Sequence, residues 1–278
     1  YYDGHAPVTE IKKPQEVWSS EKEFSFKFTV NDNESDMNCT NPSLADDVQK
    51  LKNAKDLASI SYISVAGYRF EKPEGGWASS EIITGILPEG EESKYNVTLT
   101  PQLQEDETIT FTAVLSLKDT AIKGVNEEIN VYAVDVAGNS EASSAKKVRV
   151  MMDHGAPIAE SITVEGIDSN GCLKKDSKLT VTAVVSDKYI IDENSNYPYS
   201  DISEIVYTYY GDGFSKKIEK SKSGKNLDED AVFDVENDTC KGYVSVEITD
   251  AAGNKATYYY CDGEVTTYKS KASLIVVD

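Results

Sequence analysis

Two five-residue runs, Asp135-Val136-Ala137-Gly138-Asn139 and Asp250-Ala251-Ala252-Gly253-Asn254, set a carboxylate and a carboxamide four positions apart around a glycine. Such side chains can cap a tight hairpin by accepting backbone N–H bonds. They can also serve as oxygen ligands for a hard cation such as Ca²⁺, which takes about six to eight oxygens. Asp153 and Asp187 are further acidic residues at the ends of apolar, strand-like runs. The stretch Asp192-Glu193-Asn194-Ser195-Asn196 opens like an EF-hand loop. Tyr197 stands where that loop needs glycine and Ser203 where it needs glutamate, so the motif is rejected.

Other chemistries have less material. His5 and His154 are the only histidines. No phosphate loop, nucleophile elbow or His-Glu-x-x-His motif occurs, so the chain reads as non-catalytic with no required cofactor. Its 17 tyrosines suit contact surfaces instead. Tyr189, Tyr197 and Tyr199 lie among Asn, Ser and Asp, the composition of binding loops, where tyrosine supplies contact area at low entropic cost. The alternative for tyrosine is ordinary strand propensity. Trp77 follows Gly75-Gly76 and is a candidate for a surface contact, with core packing as the alternative.

Of 278 residues, 48 are acidic and 28 basic, for a net charge of −20. A chain so acidic repels phosphate backbones, which argues against a nucleic-acid partner. It also resists self-association, which predicts a monomer. No apolar run approaches the roughly 20 residues of a spanning helix, so membrane insertion is not expected.

Positioning of these residues follows from an internal repeat. Asp3-Gly4-His5-Ala6-Pro7 answers Asp153-His154-Gly155-Ala156-Pro157, and the run 23–32 answers 178–187. The runs 56–62 and 201–207, 129–139 and 244–254, and 146–153 and 271–278 follow in the same order. Two domains result, residues 1–153 and 154–278, with residues 1–3 read as the end of a preceding repeat. Asp278 falls where Asp153 falls, which predicts a piece of a longer tandem array. Each copy alternates apolar and polar residues between Gly, Asn and Asp turns, the pattern of short β-strands in a two-sheet sandwich. One segment departs from it. Residues 41–54 carry Leu44, Val48 and Leu51 at helical spacing behind Ser43, which predicts a short helix inserted in the first copy.

Asp-x-x-Ala-Pro at the entrance of a copy and Asp-x-Ala-Gly-Asn in its penultimate hairpin resemble bacterial immunoglobulin-like repeats. The resemblance covers both copies through these short motifs. It implies an all-β fold of two tandem immunoglobulin-like sandwiches, from an extracellular protein on a bacterial cell surface, of the kind that forms stalks and adhesin tips. In that topology Asp153, Asp187, Asp201, Asp250 and Asn254 gather at the entrance of the second copy, and Asp3, Asp32, Asp56, Asp135 and Asn139 at that of the first. Related repeats hold calcium with such acids, and hairpin capping is the alternative. The same topology sets Cys240 and Cys261 on either side of one hairpin and predicts a disulfide between them, with Cys172 as a competing partner and reduced thiols as the alternative. The function expected is a binding module that contacts a host macromolecule (a glycan, a matrix protein or an immunoglobulin) through its elaborated loops. A structural stalk, stiffened by calcium, is the alternative. Adjacent repeats of the same chain are the further partners expected.

Overall fold

The computed structural model describes residues 5–12, 14, 16–32, 57, 59–173, 178–188, 198–211, 216–235 and 242–277. The chain divides into two compact units, Tyr1–Val17 with Glu21–Ile122 and Asn126–Met151, and Trp18–Ser20 with Lys123–Val125 and Met152–Asp278. The fold is all-β and built of several antiparallel sheets. The helix expected over residues 41–54 lies outside the described residues.

In the first unit, β1 (Val8–Lys12), β2 (Glu23–Asn31), β7 (Ile109–Leu117), β6 (Tyr95–Leu103) and β5 (Ile83–Thr84) form one sheet in that order. The other runs β4 (Tyr68–Glu71), β3 (Ile60–Val65), β8 (Gly124–Asp135), β9 (Lys146–Asp153). Period-2 alternation selects the core. Phe26, Phe28 and Val30 from β2 are buried with Ile109, Phe111, Ala113 and Leu115 from β7. Phe28 pairs with Phe111 across the ladder, with ring centroids 5.4 Å apart. The Trp77 ring meets Phe111 edge-on at 5.5 Å, and its Nε1 donates to the Ile60 carbonyl at 3.2 Å. Trp77 is fully buried, which corrects the expectation of a surface contact. The paired glycines before it carry the chain into a short 3₁₀ turn that drops the ring inward.

A buried polar latch ties β1 to the far hairpin of the first unit. Both Glu141 carboxylate oxygens accept the Thr9 N–H at 3.0 Å, and Oε2 also accepts the Thr9 hydroxyl at 2.6 Å. Thr9 is 0% and Glu141 6% exposed. By the repeat offsets, the second copy has Ala159 and Ala256 at these places, so the latch is an exchange of an apolar pair for a hydrogen-bonded one. Replacing Glu141 with Ala orphans two buried donors. Urea unfolding is expected to show the first unit about 2–4 kcal/mol less stable, whereas Glu141→Gln, which keeps an acceptor, loses less. Equal losses for the two variants would mean that the latch contributes by packing alone.

Among its described residues the second unit holds three sheets. One runs β10 (Ile158–Glu165), β12 (Leu179–Ser186), β15 (Ala231–Phe233). The largest runs β14 (Lys216–Ser223), β13 (Ile202–Gly211), β16 (Tyr243–Asp250), β17 (Lys255–Cys261), β18 (Glu264–Thr266). In the third, β11 (Cys172–Leu173) lies parallel to β19 (Val276–Val277). Ile162, Leu179, Val181, Ile205, Tyr207, Tyr209, Phe233, Val244, Val246 and Ile248 make the core.

Two sequence alignments shift in the structure. Residues 56–62 and 201–207 are expected to correspond, yet Ile60 pairs with Asp135 and Ile202 with Asp250, each just before a β-bulge. The true correspondence is therefore three residues away. Backbone bonds set it: the N–H after each hairpin aspartate, Val136 or Ala251, donates to Ser59 or Asp201. Among the described residues of the expected final strand over 271–278, Lys271 ends a 3₁₀ turn, Ile275 bridges Gly242, and Val276–Val277 join a ladder. The hairpin partner of β16 is β17 instead.

Candidate cation site

Three strand ends and one hairpin build the site. Asp153 closes β9, Asp187 follows β12, and Asp250 closes β16. The hairpin Asp250–Asn254 turns through Gly253 at φ 96°, a backbone conformation that only glycine adopts without strain. The Asp250 carboxylate accepts the Asn254 N–H at 2.8 Å through Oδ1 and the Asn254 Nδ2 at 2.8 Å through Oδ2. The same Nδ2 donates to the Asp153 carbonyl at 2.8 Å, so Asn254 anchors two of the acids at once.

The three carboxylates converge. One oxygen from each of Asp153, Asp187 and Asp250 lies within 4.8 Å of the other two. Their exposures are 2%, 6% and 1%, so this is a buried cluster and not a solvated acidic face. Neutral donors line it. Asp153 accepts the Gly155 N–H at 2.9 Å and the Ser200 N–H at 2.7 Å. The Ser200 hydroxyl donates to Asp187 Oδ2 at 3.3 Å and accepts the Ala252 N–H at 3.1 Å. Burial, then the charges of Asp153 and Asp250, push the Asp187 carboxyl up to about 7. Burial also raises Asp153, against the hydrogen bonds from Gly155 and Ser200. Three carboxylates this close and this dry are costly to ionise together. A divalent cation removes that cost, and an all-oxygen donor set suits Ca²⁺ or Mg²⁺ over soft metals.

Of the residues expected here, Asp153, Asp187, Asp250 and Asn254 come together. Asp201 does not: it is exposed, at φ 68°, and contributes its backbone carbonyl to Ala251. In the first unit Asp135 and Asn139 do hairpin work. Asp135 accepts the Asn139 N–H at 2.8 Å and its Nδ2 at 2.7 Å, around Gly138 at φ 92°. Asp3 and Asp56 lie outside the described residues, and among the described residues the acid triad occurs in the second unit alone. Sequence reasoning missed Ser200, whose place beside a strand start carries no signal until β13 is set against β16.

Of the binding residues expected, Tyr199 is described and 37% exposed, while Tyr189 and Tyr197 lie outside the described residues. Cys261 is a half-buried free thiol, and Cys240, its expected partner, lies outside the described residues. Among the described residues no helix is long and apolar enough to cross a membrane.

No protein-family model matches the chain, and no curated protein matches it in sequence. Among solved structures, the chain is similar to the tetra-tandem repeat in the extending region of a large adhesion protein. That likeness has 9% identity and a TM-score of 0.30, over 91% of this chain and 47% of the other. The chain thus spans about half the length of the structure it matches.

Proposed function

We propose that this chain is a non-catalytic pair of immunoglobulin-like repeats from an extracellular bacterial surface protein, acting as a spacer whose second repeat is braced by a bound calcium ion. The observation that carries this reading is the buried triad of Asp153, Asp187 and Asp250. Asp153 opens the short linker that ends at Pro157, and Asp187 and Asp250 end strands of two different sheets. An ion shared by the three ties the start of the repeat to both sheets of its own sandwich. Turn capping alone accounts for Asp250, as it does for Asp135. It also covers the Asp153 bonds to the Gly155 and Ser200 amides, but it gives no reason for Asp187 to be buried against two other carboxylates.

Calorimetric titration of chelator-treated protein with CaCl₂ tests this. One site per chain is expected, with a dissociation constant between about 10 μM and 1 mM, the range of extracellular modules and weaker sensors. No binding heat up to millimolar calcium would sink the proposal.

A second reading, contact with a host macromolecule through loops, is favoured by the exposure of Tyr199. Pull-down of host extracellular proteins with the chain and with Tyr199→Ser checks it, and unchanged capture would remove Tyr199 from such a contact.

A further inference from the structure

The five-stranded sheet of the first unit keeps one face outside the core. Alternation sends Phe28, Leu99 and Phe111 inward and the residues between them outward. Every outward residue of β6, from Asn96 to Gln102, and of β7, from Thr110 to Ser116, is uncharged, as is Thr84 of β5. Threonines stand together across the ladders: Thr100 opposite Thr112, Thr84 opposite Thr98, and Thr98 opposite Val114. Ile82, just before β5, is 69% exposed. The charges of this face lie on β1 and β2, as Glu10, Lys12, Glu23 and Lys27. Two are acids and two are bases, so the face is neutral in a chain of net charge −20. Lys12 and Lys27 stand opposite each other, and among the described residues no carboxylate pairs with either. Other sheets differ, for their exposed residues form ion pairs: Arg69 with Glu71, Lys147 with Glu128, and Lys255 with Glu247.

We propose that this face docks on the same face of a second copy of the chain, forming a weak two-fold dimer. The inference does not rest on the cation site. Charge selects the occupant. Copies of a chain with net charge −20 repel one another, and a neutral face is where they approach at least cost. A strongly charged partner finds no opposite charge there. A two-fold contact sets the patch against itself, so acids and bases at its rim arrive in equal number from both copies. Threonine methyls, Val114 and Ile82 supply apolar area, and the hydroxyls and carboxamides supply hydrogen bonds across it. Area sets the strength. Nine-residue strands β2, β6 and β7 at about 3.4 Å per residue, with shorter β1 and β5 beside them and strands about 4.8 Å apart, give about 500–600 Å². Specific contacts begin near about 600 Å² per partner, so the dimer is weak and a single chain is the expected state in low salt. The β10-β12-β15 sheet of the second unit also exposes neutral residues, Val184 at 51%, but its three strands offer only about half that area.

The test is sedimentation equilibrium of the whole chain in chelator, at about 30–600 μM protein and about 0.05 and 0.5 M salt. The average mass is expected to rise toward that of two chains, with a dissociation constant of about 0.1–1 mM in the higher salt. Pairing is weaker in the lower salt, where repulsion is unscreened. Thr112→Lys and Thr98→Lys, each in the uncharged part of the face, are expected to weaken pairing about tenfold or more with unchanged melting, because a lysine there is buried without a partner. Each variant makes the chain less negative, so a general charge effect predicts the reverse. Val184→Lys, on the small sheet of the second unit, is expected to leave pairing unchanged. Overturning results are a single-chain mass at every concentration and salt, or stronger pairing in low salt. Growth past two chains, which a two-fold contact does not allow, also overturns the proposal. So do indifference to both Thr112→Lys and Thr98→Lys, and equal weakening by Val184→Lys. A single-chain mass with retention on a dextran column, lost in Thr112→Lys, gives the face to a neutral polysaccharide instead and overturns the dimer. Because chelator is present throughout, failure here does not touch the calcium reading.

Discussion

Saturating calcium raises the melting temperature of the second unit by about 5–10 °C, and replacing Asp187 with Asn removes that rise. The triad brings three carboxylates within 4.8 Å at exposures of 6% or less. A ligand that binds only the folded state at about a hundred times its dissociation constant adds about 2.7 kcal/mol, which for a unit of this size is several degrees. The variant makes a sharper claim than loss of binding. In chelator at pH 8, Asp187→Asn is expected to melt above the unsubstituted protein, because it removes one of three crowded charges. An aspartate kept for turn capping predicts the reverse, a variant that melts lower with or without calcium. Scanning calorimetry of the whole chain reads both effects. Glu141→Ala, which lowers the transition of the first unit, assigns the two transitions. A calcium shift unaffected by Asp187→Asn would place the ion elsewhere and remove the triad from the mechanism.

The second large effect is a pH dependence that calcium abolishes. The Asp187 carboxyl, normally near 3.8, is raised to about 7 in the folded protein. The folded state therefore holds a proton that the unfolded state has already released between those values. Unfolding releases a proton in that window, so the stabilisation is full below about pH 4 and is lost as pH rises through 7. In chelator, stability of the second unit is expected to fall by about 2–4 kcal/mol between pH 5 and pH 8. Asp153, raised by burial, acts in the same sense. Calcium must displace this proton, so its apparent affinity rises with pH over the same window, and at saturating calcium the pH dependence that Asp187 contributes between pH 5 and pH 8 disappears. Urea melts at the two pH values, with and without calcium, for the unsubstituted chain and Asp187→Asn, separate this term from the general repulsion of a chain with net charge −20. An equal pH slope in both proteins would show that Asp187 titrates normally.

Much of this protein is legible in one dimension because the relevant physics is local. Alternation at i, i+2 marks β2, β7 and β12, since successive side chains of a strand face opposite sides. It also sets Tyr259 apart from Tyr258 and Tyr260, which pack against the core of the second unit. The hairpin motif names its own bonds, because Asp250 and Asn254 are four residues apart and the intervening glycine supplies the positive φ. The recurrence of these elements in one order predicted two similar copies, and the topology implied by the immunoglobulin-like resemblance put Asp153, Asp187, Asp250 and Asn254 into one set together with Asp201.

Convergence over long separations was decided by the tertiary structure. Ser200 reaches Asp153 across 47 residues, and Asn254 reaches it across 101. No local pattern encodes those bonds. The three-residue shift between copies arose the same way, because β3 and β13 are held by backbone bonds from the residue after each hairpin aspartate. Similar letters at 56–62 and 201–207 have no part in those bonds. Trp77 looked available beside two glycines, yet the space against Phe111 is closed by strands far along the chain. Turn chemistry and alternation are properties of neighbours in sequence. Burial, register and the meeting of like charges depend on which sheets pack together, and in this protein that packing turned acids of ordinary appearance into a buried triad fit for a divalent ion.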